Sequence, residues 1–344
     1  LIRDDDPAGG FTTLGRSFID NGYVVSVSTA LNRVTTHQVE LLSTGDTLLK
    51  DIYPLSARMD LKVGIDGLRT TTLPDGTVTV VQENPDPRFG MQAPLMRFSE
   101  VTTPDGHLVY TTSTSRSVSL ANPDDIFSLA VQTDTVTTNE RVYTTTYDNA
   151  TKEVASTTPV GRRFVSRIDG AGKVTSIQAD PSILPLTFSY DVQGRLSRVE
   201  QDNNSWMYSY DAKTRLQFRT DPLSRTTEYG YDNTDRVTSV RLPSGRTYGF
   251  GYDAGGNRTR VTMPNGAVHA LGYTPVNLDN AYVPPENLPY VHGYSLDREW
   301  IHTTLPSGRS VDAAYDPVSG RLQSVTFPEG SVVYGYADNT ERIF

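Results

Sequence analysis

The chain of 344 residues contains no cysteine. This excludes disulfides, thiolate metal sites and a cysteine nucleophile, and it fits an exported protein as well as a cytosolic one. No stretch approaches the roughly 18 apolar residues of a membrane span, and the opening residues, LIRDDDPAGG, have neither the basic nor the apolar region of a signal peptide. Long runs of helix formers are also scarce, whereas Thr, Tyr, Gly and Pro are plentiful, a mixture that favours strands separated by turns.

A clustered positive charge is missing as well. The formal net charge is −9, and the Lys and Arg residues are spread along the chain instead of forming a stripe. We therefore expect no nucleic-acid partner.

A tyrosine recurs at intervals of 21 residues through the second half of the chain. Upstream of Tyr210, the same position is taken by Tyr190, Ile168 and Tyr147, at steps of 20 to 22 residues. Self-similarity at a fixed period is the signature of a repeat protein. The series predicts about ten repeats of about 21 residues over residues 147–344, with reference tyrosines Tyr210, Tyr231, Tyr252, Tyr273, Tyr294, Tyr315 and Tyr336.

Each repeat contains two turn signals. The first is Tyr-Asp, a short polar turn, and then Arg or an equivalent before an apolar residue, as in YDVQGRL from Tyr190. The second is Pro-x-Gly about twelve residues after the tyrosine, as at Pro243 to Gly245. Between the turns, large residues alternate with period two, as in Trp206, Tyr208 and Tyr210, which predicts two strands per repeat.

The residues that define the repeat have expected structural roles. An Asp after the tyrosine suits an Asx turn, in which its carboxylate accepts main-chain N–H groups two residues on. The Arg beyond the turn is expected to pair with an Asp of its own or of the adjacent hairpin. Small residues before the tyrosine, such as Gly251 and Gly272, indicate bending or close approach. The repeat-defining positions are Tyr190, Asp191, Tyr210, Asp211, Tyr231, Asp232, Tyr252, Asp253, Tyr273, Tyr294, Tyr315, Asp316 and Tyr336.

Residues 1–146 are less regular but keep the same signals. Pro-Asp-Gly turns at 74–76 and 104–106 separate Thr- and Val-rich strands, and we predict divergent β-hairpin repeats that continue into 147–344. Gln82–Pro94 is predicted to be a longer loop. The expected fold class is all-β, an array of antiparallel β-hairpins in a sheet that twists into a spiral because wide sheets do not stay flat.

Apart from the repeat, the sequence contains no recognisable pattern of catalytic or ligand-binding residues. The chain has no HExxH, GxSxG, P-loop or Rossmann fingerprint, so we predict no catalytic, cofactor-binding or metal-binding residue and no cofactor. His269 and His292 fall on the aromatic face of predicted strands, where packing is the favoured interpretation. A hydrolase whose carboxylates converge on the concave wall ranks last among the functions considered.

One repeat departs from the pattern. Tyr273 and Tyr294 are followed by Thr and Ser instead of Asp, and the segment between them, NLDNAYVPPENLPY, departs from the pattern of the first turn, so we expect this repeat to carry a loop or to make a contact. We expect Tyr282 and Tyr290 to be exposed there, where they would suit contact with a glycan or a protein partner.

The repeats, and especially YDAGGNRTRVTMPNG from Tyr252 to Gly266, resemble the YD/RHS-repeat family of bacterial RHS proteins, toxin-complex B/C components and teneurins. The resemblance implies a spiralling β-hairpin shell, of which this chain would be a wall segment. It implies a non-enzymatic role, in which the wall encloses or presents a toxin or other cargo, and a bacterial protein that is secreted or on the cell surface. The expected partners are other segments of the shell or the cargo. The alternative is an extracellular adhesion module that binds cell-surface carbohydrate or protein.

Overall fold

The computed structural model describes residues 2–336, which form thirty β-strands, one 3₁₀ turn at Pro54–Ser56 and no α-helix. The first fifteen strands are β1 Arg3–Asp5, β2 Phe11–Ile19, β3 Gly22–Thr29, β4 Val34–Leu41, β5 Thr47–Ile52, β6 Arg58–Val63, β7 Arg69–Thr72, β8 Val78–Asp86, β9 Gly90–Thr102, β10 Val109–Leu120, β11 Leu129–Thr138, β12 Arg141–Asp148, β13 Glu153–Thr157, β14 Arg163–Ile168 and β15 Val174–Gln178. The others are β16 Leu186–Tyr190, β17 Leu196–Gln201, β18 Asn204–Tyr210, β19 Leu216–Thr220, β20 Thr226–Tyr231, β21 Val237–Arg241, β22 Thr247–Tyr252, β23 Arg258–Thr262, β24 Val268–Tyr273, β25 Asp279–Val283, β26 Tyr290–Tyr294, β27 Trp300–Thr304, β28 Ser310–Tyr315, β29 Leu322–Phe327 and β30 Gly330–Val333. No described helix has the length and apolar character needed to cross a membrane.

The chain divides into two compact units. The first comprises the residues up to Thr77, the short segment Val237–Ser239 and the residues from Arg246 onward, and the second comprises Val78–Arg236 and Val240–Gly245. Within each unit the strands form antiparallel hairpins between neighbours in sequence, such as β2 with β3 and β16 with β17. The predicted fold class, an all-β array of antiparallel hairpins with two strands per repeat, is confirmed.

The turns predicted in the first part of the chain are also present. Gly76 donates its N–H to Leu73 between β7 and β8, and Gly106 donates to Thr103 between β9 and β10. The predicted loop at Gln82–Pro94 is wrong. Strands β8 and β9 extend through most of it as a hairpin, because the Asp86 carboxylate accepts the N–H groups of Arg88 and Phe89 and so forms a tight turn.

The two faces of a strand differ in exposure. In the second unit, Phe188, Val199 and Trp206 lie opposite one another across β16, β17 and β18, and all three are half-buried. Met207, on the other face of β18, is 50% exposed. No described residue is less than 2% exposed as a whole, so the large side chains pack beside one another within a single layer and, among the described residues, are not enclosed by a second one.

A one-residue β-bulge interrupts most of the repeat hairpins at the reference position. Tyr210 pairs with Leu216, but Ser209 pairs with Phe218, so Gln217 has no partner across the hairpin. Such a bulge bends the strand and increases its local twist. The same shift accompanies Ile168, Tyr190, Tyr252, Tyr273, Tyr294 and Tyr315.

The small residue before the tyrosine is required where the bulge brings neighbours close. A Cβ atom built on Gly272 would lie 2.7 Å from Asn280 Oδ1 and 3.2 Å from Ala281 Cβ, whereas one on Gly293 would lie 3.5 Å from His302 Cβ, an ordinary contact.

We predict that Gly272→Ala lowers the free energy of unfolding by about 1 kcal/mol because of overpacking. The matched control Gly293→Ala should be neutral or slightly stabilising, since Gly weakens a strand relative to Ala. Urea unfolding of both variants tests this, and equal stabilities would contradict it.

Candidate functional site

The reference tyrosines join each repeat to the one before it. The Tyr210 hydroxyl donates to the main-chain carbonyl of Leu196, at 2.7 Å, and this acceptor is the residue that begins the strand after the preceding first turn. Eight repeats share the arrangement, with distances between 2.7 and 3.2 Å. The pairs are Tyr190 with Val174, Tyr210 with Leu196, Tyr231 with Leu216, Tyr252 with Val237, Tyr273 with Arg258, Tyr294 with Asp279, Tyr315 with Trp300 and Tyr336 with Leu322.

Burial shifts the pKa of four of these hydroxyls further above neutral pH. It raises the pKa of Tyr210 and Tyr231 above the ordinary value, and it does the same for Tyr294 and Tyr315. Each therefore stays protonated at neutral pH and satisfies a strand-end carbonyl.

The Asp after the tyrosine organises the first turn. Asp211 Oδ1 accepts the N–H groups of Lys213 and Arg215, and Oδ2 accepts Arg215 Nε at 2.7 Å. The expected Asx turn and Asp–Arg pair are thus confirmed, and Asp191 with Arg195 and Asp232 with Arg236 repeat them.

These turn hydrogen bonds also set the ionisation of the Asp. The Arg215 guanidinium, followed by the Arg215 main-chain N–H, holds the pKa of Asp211 below its ordinary value. For Asp191 the main-chain N–H of Arg195 is the larger cause and its guanidinium the second. Both carboxylates are therefore ionised and paired at neutral pH.

The paired Arg then reaches the next repeat. The Arg195 guanidinium lies 4.3 Å from the centre of the Tyr210 ring, and that of Arg215 lies 4.6 Å from the Tyr231 ring. A cation held over an aromatic face is attracted by its quadrupole. Asp, Arg and the next Tyr thus form a chain of contacts, which we call the Asp-Arg-Tyr ladder. Lys173 over Tyr190 and Arg321 over Tyr336 make the same kind of contact.

One arginine also bonds to the neighbouring turn. Arg215 Nη1 donates to the Asp232 carbonyl and to Asp235 Oδ1, both at 2.9 Å. Where an Asn replaces the Arg, Asn257 Nδ2 bonds Asp253 and Asn277 in the same way. The ladder therefore tolerates a neutral side chain that still spans two turns.

A family model for the teneurin YD-shell matches residues 1–343. The chain belongs to this family. Solved structures with similar folds include the crystal structure of TcdB2-TccC3-Cdc42, at 13% identity and a TM-score of 0.44, where 95% of this chain and 24% of that chain are covered. The Photorhabdus luminescens Tc holotoxin pore with a mutated TccC3 gives 12% identity and a TM-score of 0.42, again over 95% and 24% of the two chains. The YD-shell chain thus spans about a quarter of the length of these chains. No curated protein matches it.

The YD repeat between Tyr273 and Tyr294 keeps its first turn although its sequence departs from the turn pattern. Thr274 and Ser295 replace Asp, but their hydroxyls accept main-chain N–H groups in its place, from Leu278 and from Glu299. The turn keeps its main-chain hydrogen bonds because a Ser or Thr hydroxyl can form the same kind of turn as an Asp carboxylate.

Tyr282 and Tyr290 are half-buried, which corrects the expectation that they are exposed. They face each other across β25 and β26 with ring centres 6.0 Å apart. His269 stacks on Tyr282 at 5.9 Å, and its Nδ1 lies 2.8 Å from the Tyr282 hydroxyl. The packing role expected for His269 is thereby confirmed, and His292 likewise bonds Thr303, one of the few buried residues described.

An ion-pair network in the second unit of the YD-shell chain was not predicted from the sequence. Arg116 pairs with Asp86, whose side chain is 1% exposed, and with Asp134, so that β8, β10 and β11 are held together. Burial alone would raise the pKa of Asp86, but hydrogen bonds from the Arg88 N–H, the Arg116 guanidinium and the Phe89 N–H keep it below its ordinary value. The partners are 18 and 30 residues apart, outside the 21-residue period, so no spacing rule finds them.

We predict that Tyr210→Phe lowers the free energy of unfolding by about 1 kcal/mol, because the Leu196 carbonyl loses its donor while the ring contact with Arg195 is kept. Tyr208→Phe is the control, since Tyr208 lies on the same strand face without such a bond among the described residues. Urea unfolding and hydrogen exchange at β17 and β18 are the measurements. Equal losses in the two variants would show that the hydroxyl bond does not matter.

The turn carboxylates also predict a dependence on acid. Because the pKa values of Asp191, Asp211 and Asp221 are lowered in the folded state, their contribution is complete above the unfolded value of about 4 and is lost as pH falls through the lower folded values. The urea midpoint should therefore decrease progressively below about pH 4. Asp211→Asn should be less stable at pH 7 and should lose less on acidification, and an unchanged pH slope in this variant would contradict the assignment.

Proposed function

We propose that this chain is a wall segment of a secreted or cell-surface bacterial YD shell, without catalytic activity, whose aromatic face covers an enclosed toxin, other cargo or another segment of the same shell. Membership of the YD-shell family supports the structural role. The observation that carries the proposal is the aromatic face itself, where Phe188, Val199 and Trp206 remain only half-buried within a single layer.

An aromatic face that this chain leaves uncovered is expected to be covered by another segment or molecule in the assembled protein. Large apolar side chains left in contact with water along a sheet mark an interaction surface or a liability for aggregation. The residues on the opposite face of the same strands, such as Ser189, Arg198 and Ser209, are polar and exposed, as suits a surface in water. The two faces therefore have different surroundings in the assembled protein.

The adhesion alternative gains less support. Sugar stacking needs an aromatic ring with a free face, whereas Tyr282 is stacked between His269 and Tyr290. We accordingly place the function in the wall as a whole and not in this ring cluster.

Neighbouring residues on opposite faces give a direct test. In the longest polypeptide that carries this chain, hydroxyl-radical labelling should modify Met207 readily and Trp206 several-fold less than it does in the same polypeptide unfolded in urea. Met207 is the matched control because it is adjacent in sequence, intrinsically reactive and on the outer face. Strong labelling of Trp206 in the folded protein would show that nothing covers the aromatic face, and would refute the proposal.

A further inference from the structure

The turn between β3 and β4 contacts a repeat that lies more than 260 residues later in the chain, within the first unit. Arg33 Nη1 bonds Glu299 Oε1 at 2.6 Å and Asp297 Oδ2 at 3.2 Å. The Thr29 hydroxyl and the Leu31 N–H donate to the two oxygens of Asp297, at 2.6 and 3.2 Å. The Arg33, Asp297 and Glu299 side chains are only 12%, 8% and 16% exposed.

The turn between β1 and β2 contacts the same repeat from another position. Arg298 donates to Asp6 Oδ2 through Nε and Nη2, at 3.3 and 3.2 Å. Leu296 adjoins Gly9 and Gly10, so closely that a Cβ built on Gly10 would lie 2.4 Å from the Leu296 carbonyl oxygen. The β1–β2 turn and the β3–β4 turn thus both meet one turn of the repeat that starts at Tyr294. We call the contacts of Asp6, Thr29 and Arg33 with Asp297, Arg298 and Glu299 the clasp.

The repeat in the clasp has its charge reversed. Its turn carries Glu299 at the position where the ladder has Arg195, Arg215 or Arg236, and among the repeats whose first turn lies within residues 2–336 it is the only acidic residue at that position. Asp297 adds a second carboxylate two residues away. With the cation of the ladder missing, two poorly hydrated carboxylates would share one turn, which is costly unless a cation pairs with them.

Arg33 is that cation. A guanidinium suits the place because it presents several N–H donors in a fixed plane. It also lies against the next turn, where a Cβ built on Gly320 would stand 3.1 Å from Arg33 Nη1. Its charge is one of the influences that lower the pKa of Asp316, after the hydrogen bonds of Ser319 and Val318 and against burial.

We propose that the clasp selects, by charge, the repeat on which the first hairpins dock, because Arg33 supplies from outside the arginine that this repeat lacks. At most other repeats the docking position holds an Arg or Lys, which would repel Arg33. The clasp thus defines a single register between the first hairpins and an array of otherwise similar turns. This inference concerns a contact within the first unit and is independent of what the aromatic face covers.

Because the chain contains no cysteine, two introduced cysteines would be its only thiols, and their proximity can be tested by cross-linking. Ala8→Cys and Leu296→Cys, introduced together in the full chain, place two thiols at residues that line the same cavity of about 410 Å³ beside the clasp. A short bis-maleimide should link them rapidly, and the internal loop should shift the band on a denaturing gel. Failure to link would overturn the contact itself.

Charge selection is then tested by substitution in that background. Glu299→Arg should slow the cross-link by roughly tenfold or more, since it places a cation opposite Arg33 and leaves Arg33 with one carboxylate instead of two. Adding Arg33→Glu should restore most of the rate. Arg198→Ala, which removes an exposed pair with Glu200, is the control and should change nothing.

A less disruptive variant separates loss of the charge pair from misfolding of the Glu299→Arg protein. Arg33→Gln keeps an amide donor at the level of Nε but removes the charge and the Nη donors, and it should slow linking several-fold while hydrogen exchange at β16 to β19 stays unchanged. An undiminished rate in Arg33→Gln, or no recovery in the exchanged pair, would mean that shape and not charge selects the register, and the proposal would be rejected.

Discussion

The hydroxyl bond from each reference tyrosine to the carbonyl of the preceding repeat is the interaction on which the repeat array depends. In a single-layer sheet there is no opposing layer against which a strand can fix its position, so alignment must come from contacts within the layer. The tyrosine provides this alignment because its ring packs on the aromatic face while its hydroxyl reaches a strand end in the neighbouring repeat, as Tyr210 does at Leu196. Because the tyrosine must reach a carbonyl in the preceding repeat, the distance between repeats is restricted. This explains why the repeat length stays close to 21 residues.

The Asp-Arg-Tyr ladder strengthens the same junction from the turn. Asp211 fixes Arg215 by hydrogen bonds on the near side, so the guanidinium is already oriented when it meets the ring of Tyr231 and loses little side-chain entropy there. Individually, partly exposed ion pairs contribute only about 0–1 kcal/mol. Their value here lies in repetition, since in a repeat protein stability is approximately a sum over units and their nearest-neighbour interfaces.

The parts of this arrangement that could be predicted are the periodic ones. The spacing of the tyrosines, the Asx turns and the Asp–Arg pairs all follow from local sequence, because each involves residues within one turn. The carbonyl that the tyrosine binds and the bulge at Gln217 could not be predicted, since main-chain acceptors and register shifts leave no mark in residue type. The hairpin at Gln82–Pro94 was missed because three prolines in the segment are typical of a loop, whereas Asp86 and Arg116 stabilise a turn between long strands. The division into residues 1–146 and 147–344 stays a prediction.

Departures from the repeat carry information of another kind. Thr274 and Ser295 show that the turn can form without its carboxylate, because a hydroxyl accepts the same main-chain N–H groups. Once turn geometry no longer depends on the Asp–Arg pair, the charged positions of that turn are free to change sign, as they have at Glu299. An array of equal turns offers no means of distinguishing one docking position from the next. A turn that keeps the geometry but carries the opposite charge distinguishes its own position from the others. The reversal leaves intact the hydrogen bond from the Tyr294 hydroxyl to the Asp279 carbonyl, which keeps the repeat in register.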